Sequence, residues 1–152
     1  MVPPEPDSAT SDPHHGRSHF FRQFVTGASE TQFLNGQPRT VAPPFESVYR
    51  HQQMEGPVVQ RLADLYRDAG LEIEGTPADF LGTQLRFAAY LDESQDPRAR
   101  DWRERLWRDH LLGWLPGFVS DLCEHSRLLI YRLWGGQLSL LATAMQRELA
   151  PV

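Results

Sequence analysis

The sequence predicts an all-α fold, a compact helical bundle, and three observations carry that prediction. Apolar residues from position 57 onward recur at the three- and four-residue spacing of amphipathic helices. Proline and glycine stand where such helices would begin and end. The chain shows no convincing alternating strand pattern and no internal repeat. With 152 residues, 40% of them hydrophobic, it is long enough to form one packed domain.

The amino-terminal part carries little that could form a core. Residues 1–16 consist mainly of Pro, Ser, Asp and His, which predicts a disordered tail and leaves a single helical domain in residues 17–152. Within that domain, residues 17–28 hold phenylalanines at helical spacing and predict a short amphipathic helix. Residues 29–44 are rich in Gly, Pro and polar side chains and predict an extended connector.

Two helices with recognisable start signals follow. Pro57 suits the first turn of a helix that ends just before Gly70. The second helix is predicted to begin with Thr76 as N-cap, Pro77 at the first helical position and Asp79 three residues after the cap. The apolar face of the first helix is formed by Val58, Val59, Leu62, Leu65 and Tyr66, and that of the second by Phe80, Phe87, Ala88 and Leu91, with Leu81 and Leu85 beside it.

Three more helices are predicted in the carboxyl-terminal half. The third covers residues 98–112, Pro116 opens the fourth, and the last covers residues 128–149. The last helix is apolar nearly all round in its first half, which predicts a place at the centre of the bundle. The polar side of the third helix is expected to carry two ladders of alternating charge, Arg100–Glu104–Arg108 and Asp101–Arg105–Asp109.

Composition excludes several function classes. The net charge of −5 argues against nucleic acid as a partner, and all 15 basic residues are Arg. Without Lys the chain has neither a Walker A phosphate loop nor a Schiff-base amine. The single cysteine, Cys123, excludes an internal disulfide and a multi-thiolate metal site. Because hydrolase, zinc-protease and dinucleotide motifs are also absent, we expect a protein without catalytic residues, bound metal or enzymatic activity.

The sequence also indicates a location. The amino terminus has neither a basic start nor an apolar stretch, so it does not resemble a secretory signal. No uninterrupted apolar run is long enough to predict a transmembrane helix. We therefore expect a cytoplasmic protein with no stable membrane insertion.

Four segments, in this order and spacing, resemble a known family. They read PPFESVY at 43–49, LYRDAGL at 65–71, PADFLGTQLRF at 77–87 and DHLLGWLPGF at 109–118. Together they are similar to the TorD/DmsD/NarJ family of cytoplasmic chaperones for molybdenum-cofactor oxidoreductases, and the resemblance covers about residues 42–149. Two positions depart from the family pattern, because Phe80 stands where the family has His and Gln84 where it has Glu.

The resemblance implies a fold, a function and partners. Family members are all-helical proteins that bind the twin-arginine leader of an apo-reductase and hold it back from export until the molybdopterin cofactor is inserted. Some bind guanine nucleotide weakly, and some form domain-swapped homodimers. Family members usually carry more helical sequence ahead of the first segment, so this bundle is expected to be shortened at its amino terminus.

The Asp109–His110 pair is the first candidate for leader binding. Asp109 could offer a carboxylate to a leader arginine while His110 shapes an adjacent apolar groove. Alternatively, Asp109 completes its charge ladder through Arg105, and His110 is a core histidine bonded to a backbone carbonyl. Helical spacing alone favours the second interpretation, and the family resemblance brings the two to equal weight.

Six further residues complete the predicted leader-binding set. Trp114 and Pro116 flank the predicted junction of two helices, where they could line an apolar groove or simply pack in the core. Ser47 and Tyr49 could line the same groove, or Tyr49 could pack on the bundle with its hydroxyl in water. The remaining two, which lie on the second predicted helix, are Phe80 and Gln84, and the Gln84 amide could bind peptide backbone or a loop carbonyl.

The sequence therefore predicts a chaperone that binds the amino-terminal leader of a molybdenum-dependent oxidoreductase. The alternative is a small all-helical adaptor or oligomerisation module without leader specificity. An enzyme is the weakest of the three interpretations.

Overall fold

The computed structural model describes residues 42–126 and 128–151, together with the backbone of two short strands, and these residues form a largely helical protein. The backbone divides into two compact units, Met1–Pro43 and Pro44–Val152. The predicted tail 1–16 and the predicted helix 17–28 lie outside the described residues. The first unit contains an antiparallel pair of two-residue strands, β1 (Phe33–Leu34) and β2 (Gln37–Pro38), which the sequence did not predict.

The second unit is all-helical, as predicted. Its elements are α1 (Glu46–His51), α2 (Pro57–Asp68), α3 (Leu81–Glu93), α4 (Ala99–Arg105), a π-helical turn (Leu106–Leu111), α5 (Leu112–His125) and α6 (Leu129–Glu148). The helix after Pro57 and the last helix lie where the sequence predicted them. None of the described helices is long and apolar enough to cross a membrane.

Two predicted helix starts are wrong. Residues 77–80 form a turn, and α3 begins only at Leu81, after an extended Phe80. Thr76 therefore does not cap that helix, and Asp79 bonds to α1 instead. Pro116 does not open a helix either, because α4, the π-helical turn and α5 run on without a break from Ala99 to His125 and place Pro116 inside α5.

The core of the second unit lies between α2, α3, the π-helical turn and α5. Most residues of the predicted apolar faces of α2 and α3 are buried there, while Val59, Phe80 and Leu85 are half-buried. Tyr66 donates its hydroxyl to the carbonyl of Ala78 at 2.7 Å. The largest fully buried side chains are Trp114, Tyr66, Phe118, Leu62, Leu65, Leu81, Leu106, Leu111, Leu115, Leu122 and Gln84.

The last helix does not lie at the centre of the described bundle, contrary to the prediction. One side of α6 packs chiefly on α5 and buries Leu138, Ala142 and Met145, while the other side leaves several large apolar side chains exposed. Gly135 allows the close approach to α5, because a Cβ at that position would lie 2.7 Å from the sulfur of Cys123. Helical periodicity reports how apolar each side of a helix is, and it does not report what covers it.

Arg103 ties the outer helices together. From α4 it donates to the carboxylate of Asp92 on α3 at 2.6 Å and to that of Glu148 on α6 at 2.7 Å. The two predicted charge ladders form only in part. Arg100 and Glu104 approach to 3.5 Å, but Arg105 pairs with Asp68 of α2 instead of Asp109.

Candidate functional site

The short helix α1 is the centre around which most of the predicted site residues gather. Ser47 and Tyr49 lie on it, and Phe80 packs against Phe45, the residue that precedes it, with ring centroids 5.6 Å apart. The other members that contact α1 through hydrogen bonds or ring contacts are Gln84, Asp109, His110 and Trp114. Pro116 differs from these residues, because it is exposed on α5.

Glu46 carries a fully buried carboxylate at the first position of α1. It accepts hydrogen bonds from Nε2 of Gln84 at 3.0 Å and from Nε of Arg50 one helical turn further along. Nδ1 of His110 lies 3.1 and 3.2 Å from its two oxygens, and because an ionised carboxylate only accepts, this nitrogen is the donor. A buried carboxylate is tolerated only when it is paired and hydrogen-bonded, and these three donors, on three segments, supply that pairing.

Asp79 holds the start of α1 from the other side. Its Oδ2 accepts the backbone N–H of Ser47 at 3.0 Å, and its carbonyl accepts the N–H of Glu46 at 3.1 Å. These are amides at the first turn of the helix, which have no partner within it. Phe45, the N-cap residue, makes no side-chain cap, so Asp79, a residue 34 positions later in the chain, completes the helix start instead.

Arg50 ties the other end of α1 to the π-helical turn. Its Nη2 donates to the carbonyl of Asp109 at 2.6 Å and to that of His110 at 3.2 Å. The guanidinium lies over Gly113, where a Cβ would collide with it. The backbone of the Asp109–His110 pair is therefore fixed by a cation whose own charge is balanced by Glu46.

Aromatic side chains fill the space between α1 and α5. The ring of Tyr49 lies 5.6 Å from that of Trp114 and 6.4 Å from that of Phe118. The Tyr49 hydroxyl donates to Oδ2 of Asp121 at 2.9 Å, and burial together with this carboxylate raises the pKa of Tyr49 far above its ordinary value. Nε1 of the buried Trp114 has no hydrogen-bond partner among the described residues.

The structure decides between some of the alternatives for the individual residues. The carboxylate of Asp109 is exposed, and its predicted ladder partner Arg105 is engaged elsewhere, so the ladder interpretation is wrong. His110 is buried, but it bonds to a carboxylate and not to a backbone carbonyl. The amide of Gln84 bonds to the Asp79 carbonyl at 3.2 Å as well as to Glu46, which fits the loop-carbonyl interpretation.

Two further expectations need correction. Pro116 does not flank a junction of two helices, because it lies within α5. The Tyr49 hydroxyl is bonded to a carboxylate and is not left to water. Trp114, only 2% exposed, packs in the core.

Sequence reasoning missed four polar residues that organise this cluster. They are Glu46, Arg50, Asp79 and Asp121. The Glu46–Arg50 spacing of four residues was a readable signal for an ion pair on a helix. No spacing rule could have joined Glu46 to His110, because 64 residues separate them.

An open cavity of about 390 Å³ lies beside the amino-terminal end of α2. Asp79 contributes to its wall, so the cavity adjoins the Glu46 cluster. Its lining combines two carboxylates with apolar side chains and consists of Met54, Glu55, Gly56, Val59, Gln60, Pro77 and Asp79. Within the described residues, no group of three or more His, Cys, Asp or Glu side chains could hold a metal ion.

Comparison with known proteins gives two matches. A family model described as nitrate reductase delta subunit matches residues 19–120. Chaperone protein YcdY of Escherichia coli (strain K12) is 26% identical over 90 residues, which are 59% of this chain and 47% of YcdY. The chain thus spans about half the length of that curated relative. No solved structure gives a significant match. The family match confirms the resemblance that the four sequence segments carry.

Proposed function

The chain belongs to the nitrate reductase delta subunit family, and from that premise we propose that it is a molecular chaperone for a molybdenum-dependent oxidoreductase. It captures the amino-terminal twin-arginine leader of the apo-enzyme in the cytoplasm and releases it once the cofactor has been inserted. Such a role needs reversible binding and no catalytic turnover. It also needs no cofactor of the chaperone's own.

Capture of a leader requires two kinds of contact. The apolar segment of the peptide needs an apolar surface, and its arginines need carboxylates that are not already paired. Tyr49 is half-buried, and Gly117, exposed on α5, lies against its ring. The exposed Pro116 precedes Gly117 on the same helix. We assign the apolar segment of the leader to this α1–α5 surface and its arginines to the carboxylate of Asp109 at the edge of that surface.

The observation that carries the proposal is the free carboxylate of Asp109. It is exposed and makes no ion pair with any other described side chain, while its backbone carbonyl is anchored by Arg50. A fixed backbone with an unpaired carboxylate offers an arginine a site that needs little reordering. Asp109 lies next to His110, whose ring is bonded to Glu46, so the backbone that carries the carboxylate is held to α1 from both residues.

The ion pairs and the apolar contact contribute unequally to the binding free energy. An exposed ion pair contributes about 0.2–1 kcal/mol, whereas micromolar binding needs about 8 kcal/mol. The arginines therefore set selectivity and salt dependence, and the apolar segment supplies most of the affinity.

Calorimetric titration with a panel of twin-arginine leader peptides tests the function. Each peptide is paired with a version in which glutamines replace the arginines and with a version that lacks the apolar segment. We expect micromolar or tighter binding that disappears without the apolar segment and weakens about two- to fivefold without the arginines. Failure of every leader to bind folded protein would refute the proposal and favour the adaptor alternative.

Asp109→Asn tests the assigned carboxylate separately. It should weaken binding by the same two- to fivefold factor and reduce its salt dependence, because the charge is lost while the shape is kept. Asp101→Asn is the matched control, since Asp101 is an exposed aspartate two helical turns away. If both variants bind as the wild type does, Asp109 does not belong to the site.

A further inference from the structure

The outer side of α6 exposes a stripe of large apolar side chains. Between 36% and 67% of each of these residues is accessible to solvent. They are Leu129, Ile130, Leu133, Trp134, Leu140 and Leu141. The opposite side of the same helix is packed on α5, so the stripe is a second apolar face that the described residues leave uncovered.

The stripe is nearly free of charge. From Leu129 to Gln146 the only charged residue is Arg132. Interfaces between proteins are depleted of charged residues at their centres, whereas ordinary solvent-facing helices carry many. The composition of α6 is therefore that of a contact surface along most of its length.

The arrangement of the stripe is symmetric about one polar residue. Gln137 is exposed at its middle, and Leu133 and Trp134 lie four and three residues before it. Leu140 and Leu141 lie three and four residues after it. In a helix these are the positions that surround residue 137 on the same face. Read in either direction from Gln137, the face presents large apolar side chains at the same offsets.

We propose that this face binds a second copy of the same chain, with the two α6 helices antiparallel and a two-fold axis passing by Gln137. Leu133 of each copy then faces Leu141 of the other, and Trp134 faces Leu140. The two Gln137 amides meet at the axis, where each can donate to and accept from the other. A single polar pair within an apolar helix interface fixes its register, and an isologous contact closes at two subunits.

The size of the stripe fits a modest but stable dimer. From their exposed fractions, the six apolar residues present roughly 600 Å² per copy, or roughly 1,200 Å² for two, which reaches the lower bound of stable interfaces. A patch of this size is also at the upper end of what monomeric proteins leave exposed. Both copies keep all their own helices, so the association does not require an exchange of segments.

Sedimentation equilibrium of the full chain over a wide concentration range is the first test. A dimer has twice the 17.4 kDa of one chain, and we expect Leu133→Glu to convert it to the monomer at the same concentration. Leu133 is 57% exposed, so the substitution leaves the core intact. Ile73→Glu is the matched control, because Ile73 is an exposed apolar residue in a loop and should not alter the mass.

Cross-linking tests the register. In a Cys123→Ala background, Gln137→Cys should form a disulfide-linked dimer rapidly under mild oxidation, and Ser139→Cys, which points away from the stripe, should not. A wild-type chain that stays monomeric would overturn the proposal, and so would a dimer that survives Leu133→Glu. A monomer whose leader binding is lost in Leu133→Glu would likewise overturn it and would assign the stripe to the client peptide.

Discussion

Replacing Glu46 with alanine should destabilise the fold by about 3 kcal/mol. The carboxylate is fully buried and is the common acceptor for His110, Gln84 and Arg50. Its removal leaves Nδ1 of His110 buried without an acceptor, which lowers the free energy of unfolding by about 1–3 kcal/mol. The loss at Arg50 is smaller, about 1 kcal/mol or less, because that side chain is 29% exposed. Gln84 keeps its bond to the Asp79 carbonyl and adds little to the loss.

Urea unfolding followed by circular dichroism measures this effect. A loss of about 3 kcal/mol lowers the unfolding midpoint by about 1 M or more at an unchanged slope. Glu74→Ala is the control, because it removes the same group from an exposed loop and should change the free energy of unfolding by less than about 0.5 kcal/mol. If Glu46→Ala is no less stable than Glu74→Ala, the carboxylate does not organise the cluster.

Three further predictions concern packing, ion pairs and pH. Gly135→Ala should destabilise the protein by about 1–2 kcal/mol in thermal unfolding, because the new Cβ would lie 2.7 Å from the Cys123 sulfur. Adding Cys123→Ala in the same chain should recover the lost stability. Gly136→Ala, which has open space around the new Cβ, should stabilise the protein by up to about 1 kcal/mol; if both alanines behave alike, the packing argument is wrong. Arg103→Ala should cost about 1–2 kcal/mol in urea unfolding, since it breaks two ion pairs between helices, and an unchanged midpoint would show that they contribute nothing. The pKa of Tyr49 is raised in the folded state, so the neutral hydroxyl stabilises the fold fully below about pH 10, and this stabilisation is lost as the pH rises further. Tyr49→Phe should therefore flatten the alkaline loss of stability. An unaltered pH profile would contradict this.

The sequence was sufficient for the elements that local signals define. Pro57 and Gly70 delimit α2, and the length and hydrophobicity of the last segment make α6 recognisable. The start of α3 could not be predicted in the same way. Asp79 looks like a residue of a capped first turn, but its carboxylate binds the amide of Ser47, a tertiary contact that no local rule contains.

Most residues of the candidate site could be predicted from the sequence, but the hydrogen bonds that join them could not. Seven of the eight predicted residues gather at α1, although that helix has only six residues, no apolar periodicity and no cap of its own, so it was not itself predicted. The buried carboxylate of Glu46 explains why they meet, because it draws donors from segments far apart in the chain. Pro116 departs from the set, since it lies on an exposed part of α5 and makes no hydrogen bond or ring contact with α1 among the described residues.

The most direct test of the proposed function is a double-mutant cycle between the protein and a leader peptide. Wild-type protein and Asp109→Asn are each titrated with the best-binding leader and with its version in which glutamines replace the arginines. If Asp109 holds a leader arginine, the substitution weakens binding of the arginine peptide and leaves binding of the glutamine peptide unchanged, with a coupling energy of about 0.5–1 kcal/mol. Equal effects of Asp109→Asn on both peptides, or no binding by either, would contradict the account.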